Sequence, residues 1–434
     1  MDSITSPTFP ECRPSLSSIV IPTIQSNRSI MYLGPPVLAS CLLGLVSVAA
    51  SRACGTPDRI SGKMQSGRAA YFITNDQANA IVALPIGSDG HLSEGTITST
   101  GGSGMSSVNS MTNQPAAPDG LVSQSAVTLA GNYLFTINAG SNTVAMFKIE
   151  PASPTKLTMI GQPAPVPGEF PNTVAASERN HLICVGTTGA KAGISCASFS
   201  DSGMGPMDSL RAIALNQTTP PVGPTNTISQ VFFSDDQKSL YATVKGDPVK
   251  NNTGFFASYQ VGQMSGHAAV AEQPQRSSPA GTAVLFGSFN IPESNNVFVT
   301  DASFGAAVLS VDQRSKIATV KAKGAIDGQK ATCWGTFSKA SNSAFVTDAG
   351  LNRMVEMSLT DASVKSIIEL GSNGDQGLID LKAAGNFVYA LAPGNGTTSA
   401  AVTVIDAVQK KQIQHLQLQN MVVGKSAQGM AILI

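Results

Sequence analysis

The sequence predicts an all-β protein, a seven-bladed β-propeller of four-stranded blades. Three observations support this prediction: a hairpin pattern that recurs along the chain, a composition rich in turn-forming residues, and a C-terminal strand without a local partner. The 434 residues include 41 Gly and 25 Pro, and only 12% are charged. Such a composition is typical of chains that alternate short strands with tight turns.

The repeated unit is a β-hairpin. The first copy reads FITNDQANAIVAL and the sixth FVTDAGLNRMVEMSL. Each copy has an apolar run that ends in Asn or Asp or in a more variable turn, followed by a second, alternating strand. Repeats of about 40 to 50 residues with several strands each are typical of propellers. The seven copies occupy 72–84, 135–147, 182–199, 240–261, 298–311, 345–359 and 387–405.

The C-terminal residues are predicted to close the ring. Six of the hairpins are preceded by a further apolar strand, but the first is not. The segment QGMAILI (428–434) has the pattern of the missing innermost strand. Its pairing with the first blade would remove an exposed sheet edge. The sequence therefore predicts one propeller domain over 69–434, preceded by an N-terminal tail over 54–68.

The N-terminal region is predicted to direct secretion. The apolar run VLASCLLGLVSVAA has the length of a signal-peptide core and is short for a membrane span. We expect a signal peptide over 31–53. Translation starts either at Met31 or at Met1, and in the second case the polar extension 1–30 precedes the signal peptide and is not part of the mature protein. The protein is then extracellular or bound to the cell wall.

Cysteines and glycosylation sequons agree with secretion. Cys184 and Cys196 lie on the two strands of one hairpin, so we expect a disulfide between them. Cys333 is either a buried free thiol or the partner of Cys54. The predicted mature part has three Asn-x-Ser/Thr sequons, candidate glycosylation sites on loops of one face, at Asn216, Asn251 and Asn395.

The [FY]-[VI]-T-[ND] hairpins resemble the YVTN-type repeat of seven-bladed propellers. Over 55–434 the chain is similar to fungal secreted proteins called 3-carboxymuconate cyclase-like, and more broadly to seven-bladed lactonases. The resemblance implies chemistry on a small lactone by His, Arg and carboxylate groups at one mouth of the channel. In this chain the four histidines lie away from the starts of the innermost strands.

Neutral amides occupy those starts instead. If they ring the channel mouth, they can bind a small polar or carbohydrate-like ligand, because amides both donate and accept hydrogen bonds. Alternatively, they satisfy backbone groups at the strand ends. The series lies at or just before the innermost strand in six of the seven blades and comprises Gln124, Asn172, Gln230, Gln329, Gln376 and Gln428.

Charged residues near the same face offer weaker catalytic candidates. Lys330 and Asp375 flank neighbouring innermost strands and could form an acid/base pair or a solvated ion pair. Glu169, Lys245 and Asp247 also lie near this face. A turn-capping role is expected for the aspartates that close two hairpin strands, Asp301 and Asp348.

Several partner classes are not expected. No metal-ligand spacing and no cofactor motif occur, and Lys+Arg (27) balances Asp+Glu (27), which argues against nucleic-acid binding. We expect a monomer without a membrane span.

The Gly/Ser/Pro-rich stretch 101–122 is interpreted as a lid or a flexible loop on the mouth face. Two functions remain. The first is a secreted glycoprotein that binds a small polar ligand or a cell-surface partner without catalysis, and the second is an active isomerase or hydrolase of a small lactone or cyclic carboxylate such as carboxymuconate.

Overall fold

Seven antiparallel sheets form the blades of a propeller in the residues that the structure describes, 66–434 except 265. The structure is a computed structural model. The predicted extension (1–30), signal peptide (31–53) and Cys54 lie outside the described residues. Within them the prediction of a seven-bladed, all-β propeller is confirmed.

The strands of each blade run from the axis outward. In blades 1 to 7 they are Gln428–Leu433, Ala69–Ile73, Ala80–Pro85 and Thr96–Ser99; Val127–Ala130, Tyr133–Asn138, Thr143–Glu150 and Ser153–Met159; Pro171–Ser177, Leu182–Thr187, Gly193–Ser200 and Gly203–Met204; Ile228–Phe233, Ser239–Val244, Phe255–Met264 and His267–Val270; Leu285–Asn290, Asn296–Asp301, Gly305–Val311 and Ala318–Ala325; Thr332–Ser338, Ser343–Asp348, Arg353–Met357 and Val364–Glu369; Ile379–Ala384, Phe387–Ala392, Ala401–Asp406 and Lys411–Gln417.

Short elements complete the blades and their connections. Three short strands add to the third strands of blades 2, 3 and 4, two others form a parallel pair on the mouth face, and three turns are 3-10 helices. In that order they are Ala164–Pro165, Arg211–Ala212 and Gln275–Ser277; Val108–Asn109 and Val222–Gly223; Pro248–Lys250, Gly371–Asn373 and Gln419–Met421.

The ring closes at blade 1 as the sequence predicts. The C-terminal strand pairs antiparallel with Ala69–Ile73, with Ala69 opposite Leu433 and Tyr71 opposite Ala431. All five residues of Ala69–Ile73 are buried, whereas the outermost strand Thr96–Ser99 is largely exposed. The hydrophobic core therefore lies between the inner strands of neighbouring blades, and blade 1 packs against blade 7 on one face and blade 2 on the other.

Aspartates tie two hairpin turns to the innermost strand of their own blade. Asp301 accepts hydrogen bonds from the backbone N–H groups of Ser303 and Val284 at 3.0 and 3.1 Å. Asp348 accepts from Gly350 and Ala331 at 3.3 and 2.9 Å. Each carboxylate thus caps its own turn, the role that the sequence predicts for it.

The predicted disulfide is present. Cys184 lies directly opposite Cys196 in the blade 3 hairpin, with the two Cα atoms 4.0 Å apart. Of the cysteines that the structure describes, Cys333 remains, and it is a buried free thiol.

The innermost strands of six blades begin with a β-bulge. In blade 7, for example, the register shifts between Ile379 and Leu381, and the intervening Asp380 adopts a φ of 43°. A bulge re-aims side chains next to it. The bulges lie at the end of the channel where the hairpin turns emerge, and this end carries the candidate site.

Candidate functional site

A long segment covers the channel mouth. We call residues 101–125 the mouth strap; it joins the outermost strand of blade 1 to the innermost strand of blade 2. Its strand Val108–Asn109 pairs in parallel with Val222–Gly223, in the connection from blade 3 to blade 4. Residues 120–125 are buried. The predicted lid or loop is therefore an ordered segment held against distant blades.

Gln124 extends the mouth strap across the channel. Its Nε2 donates to the carbonyl of Gly335 in blade 6, and its Oε1 accepts from the Gly335 N–H, both at 3.0 Å. A Cβ atom on Gly287 would lie 2.2 Å from Gln124 Oε1, so the crossing requires glycine at that position. The indole of Trp334 donates to the Ser123 carbonyl at 3.0 Å. These bonds connect the strap and blade 2 to blade 6, on the far side of the axis.

Three further amides of the predicted series are buried and bonded within the protein. Asn172 donates to Ile228 O at 2.7 Å, and Gln230 Oε1 accepts from Ser288 N at 2.6 Å. The third of these amides, Gln428, belongs to the C-terminal strand, and its Oε1 accepts from Leu121 N at 3.1 Å. For these amides the structure shows the alternative role, the satisfaction of backbone groups.

The other two amides are more accessible. Gln329 is half-buried; its Nε2 donates to Ala302 O at 2.9 Å and its Oε1 accepts from Thr332 N at 2.8 Å. Gln376 is exposed. The amides are thus not one equivalent ring around an open channel.

A cavity of about 210 Å³ lies at the mouth, under the mouth strap and between blades 4, 5 and 6. Apolar side chains form most of its wall, and three side chains with reactive groups join them, Asp119, Lys245 and Cys333. The apolar members are Ala116, Pro118, Val122, Pro224, Val284, Phe286, Ala302, Ala331 and Ala349.

Lys245 is the chemically distinctive residue of this cavity. It follows the second strand of blade 4 and is only 1% exposed. Its Nζ donates to Val122 O at 2.6 Å and lies 4.3 Å from the ring centre of Phe286. In the described part of the chain no carboxylate lies within ion-pair distance of Nζ. Burial lowers the pKa of Lys245 to about 8, against the attraction of Asp119.

Two acidic groups accompany this amine. Asp119 Oδ1 accepts from Gln428 Nε2 at 2.8 Å, and burial raises the pKa of its carboxyl despite the positive charge of Lys245. Burial also raises the pKa of the Cys333 thiol. Low solvation therefore favours the neutral forms of all three groups.

Asp119 was not among the sequence-predicted candidates, because nothing in a Gly/Pro-rich loop indicates which side chain turns inward.

A vestibule of about 740 Å³ adjoins the cavity. The two share the wall residues Pro224, Val284, Ala302 and Ala331. Lys330, a sequence-predicted catalytic candidate, is exposed in the vestibule. The sequon residue Asn216 and the pair Asp247 and Lys250, 3.1 Å apart, also line it.

The structure does not bring Lys330 and Asp375 together. Asp375 bonds instead to His415 Nε2 at 3.1 Å, and its side chain is 5% exposed. No ion pair among the described residues involves Lys330. The hypothesis of an acid/base pair between them therefore has no support from the geometry.

A second set of ionisable groups lies in the channel. Asp380 is fully buried; it accepts from Leu381 N at 2.9 Å and from Ser125 N at 3.4 Å. Burial raises the pKa of Asp380 to about 7 and lowers the pKa of the half-buried Lys382. Neither residue lines the mouth cavity, although the negative charge of Asp119 contributes to the raised pKa of Asp380.

Other site types are not found in the part of the chain that is described. No group of three or more His, Cys, Asp or Glu side chains has an arrangement suited to a metal ion. None of the described helices has the length and apolar character needed to cross a membrane.

Comparisons with known proteins show the fold. No family model and no curated protein matches this sequence. A periplasmic gluconolactonase from Pseudomonas aeruginosa is similar in structure, with 13% identity and a TM-score of 0.59 over 84% of this chain and 99% of that chain. A functionally unknown protein from Desulfotomaculum acetoxidans gives 10% identity and a TM-score of 0.53, again over 84% and 99%. A dihydro-heme d1 dehydrogenase gives 10% and 0.51, over 87% of this chain and 77% of that chain.

These similarities show the β-propeller fold, which a gluconolactonase, a dehydrogenase and a protein of unknown function share. At such identities they do not carry an activity across, because one fold supports many functions. The finer resemblance to 3-carboxymuconate cyclase-like proteins stays a prediction.

Proposed function

We propose that this chain is a secreted, monomeric β-propeller that binds a small oxygen-rich ring compound, a lactone or a cyclic carboxylate, in the mouth cavity. The observation that carries the proposal is the Lys245 amine in an otherwise apolar wall. A few well-placed polar groups in an apolar pocket are typical of small-molecule sites. The Nζ of Lys245 can donate to a carbonyl or carboxylate oxygen while the ring packs against Phe286.

The size of the cavity limits the ligand. An apolar cavity of about 150 Å³ is known to hold benzene, so about 210 Å³ suits one small ring. Lys330, in the vestibule, would attract an anionic ligand before it enters. Four of the amides act here by holding the mouth strap, which forms the roof of the cavity; they are Gln124, Asn172, Gln230 and Gln428. The gluconolactonase that shares the fold makes glucono-δ-lactone a natural first probe.

Binding can be followed with the only tryptophan of the chain. Trp334 lies 4.9 Å from Phe286, ring centre to ring centre, and Phe286 lines the cavity. We expect glucono-δ-lactone, or carboxymuconate as the open-chain form that closes to a lactone, to change its fluorescence in a saturable way. Lys245→Met should weaken binding roughly 10- to 100-fold, the loss expected for a hydrogen bond to a charged group. Lys148→Met, on the exposed side of blade 2, should bind as the parent protein does.

The same samples separate binding from catalysis. The alternative function, lactone hydrolysis or isomerisation, is favoured by the lowered pKa of Lys245, since a neutral amine near pH 8 can accept a proton. Ligand recovered unchanged, relative to a protein-free blank, supports a binding protein. Turnover that Lys245→Met removes supports the enzyme instead. No fluorescence change with either compound would contradict the proposed site.

Secretion and glycosylation belong to the same proposal. The sequon residues Asn216, Asn251 and Asn395 are all exposed on the mouth face. The disulfide agrees with an oxidising compartment. We expect glycans at these three asparagines, around the vestibule, in protein secreted by a fungal host. Peptide mapping by mass spectrometry checks this, and three unoccupied sites would remove the argument.

A further inference from the structure

We propose that Lys245 captures small ketones or aldehydes covalently, by forming an imine in the mouth cavity. The proposal deepens the proposed function and depends on it, because the carbonyl compound must first enter the cavity. It assigns the amine a chemical role that simple binding does not require.

The first support is the isolation of the amine. Buried lysines are nearly always paired with a carboxylate, yet Lys245 has one hydrogen bond, to a backbone carbonyl, and a Phe286 ring beside it. An apolar wall disfavours the charged ammonium form, so the neutral, nucleophilic form of the amine is populated at moderate pH. Lys330, exposed in the adjoining vestibule, lacks this environment.

The second support is the acid on the same wall. Asp119 and Lys245 both line the cavity, and Gln428 donates to one carboxyl oxygen of Asp119 at 2.8 Å. Its low solvation keeps the carboxyl protonated to higher pH than an exposed aspartate. A proton donor is needed when the intermediate loses water.

The step balances without an oxidant or a further reactant. The lone pair of neutral Nζ forms a bond to the carbonyl carbon, and the C=O π electrons move to oxygen. Transfer of a proton from nitrogen to oxygen gives the carbinolamine. The Asp119 carboxyl then protonates the hydroxyl, the C–O bond breaks and water leaves, and the nitrogen lone pair forms the C=N bond. The products are a protonated imine, a carboxylate and one water molecule.

The experiment treats the full mature protein with cyclohexanone and then with sodium borohydride. Borohydride delivers hydride to the imine carbon and fixes one cyclohexyl group on the amine. Peptide mapping should find this group on Lys245, well ahead of Lys330. Lys245→Met should lose the modification, and Asp119→Asn should slow it roughly 10²-fold, in line with general-acid catalysis. Circular dichroism establishes that both variants fold.

Trp334 fluorescence, read during the incubation, separates the two proposals. Cyclohexanone binding without trapping at Lys245 would overturn imine capture and leave the binding site intact. Neither binding nor trapping would overturn both. Labelling of Lys245 no faster than that of Lys330 would also overturn imine capture, because an exposed lysine needs no site.

Discussion

Removal of Gln428–Ile434 is expected to abolish the folded propeller. The deletion leaves Ala69–Ile73 without its inner partner strand. Backbone N–H and C=O groups of that buried strand then lose their hydrogen-bond partners. It also removes the buried Met430 and Leu433 and the half-buried Ile432. Full burial of such a side chain contributes about 1.5 to 3 kcal/mol, so the deletion removes several kcal/mol of hydrophobic stabilisation. That total is comparable to the whole stability of a typical domain, about 5 to 15 kcal/mol. Circular dichroism and thermal melting measure the loss.

A shorter truncation provides the control. Ile434 lies outside the strand and is 52% exposed, so its removal alone should leave the melting temperature nearly unchanged. If the protein without Gln428–Ile434 also melts as the parent does, the C-terminal strand does not close the ring in solution.

The fold could be predicted because its signals are local. The alternation of apolar residues, and the Asn or Asp that begins four of the seven turns, lie within single hairpins, such as Phe345 to Asp348. The closing strand was also predictable, since a ring of seven hairpins with six preceding strands lacks one. The disulfide followed from the opposed positions of Cys184 and Cys196 in one hairpin.

The site was less predictable because its contacts join distant blades. The sequence placed Lys245 and Lys330 on the same face, but it did not show that one is buried and the other exposed. That difference arises from the mouth strap, whose residues 101–122 have no periodicity to indicate an ordered path. Its order comes from partners such as Gly335 and Gln428, which are more than 200 residues away.

The amide series shows the same limit. The sequence predicted that Gln124 lies at the start of an innermost strand, but it did not indicate the hydrogen-bond partner of its amide. Amides in that position serve a ligand or the protein equally well by chemistry alone. Only the crossing of the channel, which Gly287 permits, decides that Gln124 bonds to blade 6.

A second large effect is expected from Glu356→Gln, in the interface between blades 6 and 7. The carboxylate is 1% exposed and lies 3.2 Å from Lys365 Nζ and 2.6 Å from Lys410 Nζ. Ser343 and Ser366 each donate to it at 2.8 Å. These donors hold the pKa of Glu356 at about 2, although its burial acts in the opposite direction.

Because the folded-state pKa lies below the unfolded value, ionised Glu356 stabilises the propeller above about pH 4.5. The contribution is about 3 kcal/mol at pH 7, from the difference of the two pKa values, and it is lost as the pH falls from about 4.5 to 2. Glu356→Gln should therefore lower the free energy of unfolding by about that amount at pH 7. The difference between variant and parent should shrink steadily in urea denaturation at pH 5, 4 and 3.

Glu369→Gln is the matched control, since Glu369 is an exposed glutamate on the outermost strand of the same blade. A charge on the surface contributes little, so this variant should follow the parent protein at every pH. An equal loss in Glu356→Gln at pH 7 and pH 3 would mean that the glutamine fails to pack, and that the ion pairs with Lys365 and Lys410 are not the source of the stability. A difference that vanishes at low pH would instead show that an interblade charge cluster, and not only apolar packing, holds blade 7 against blade 6.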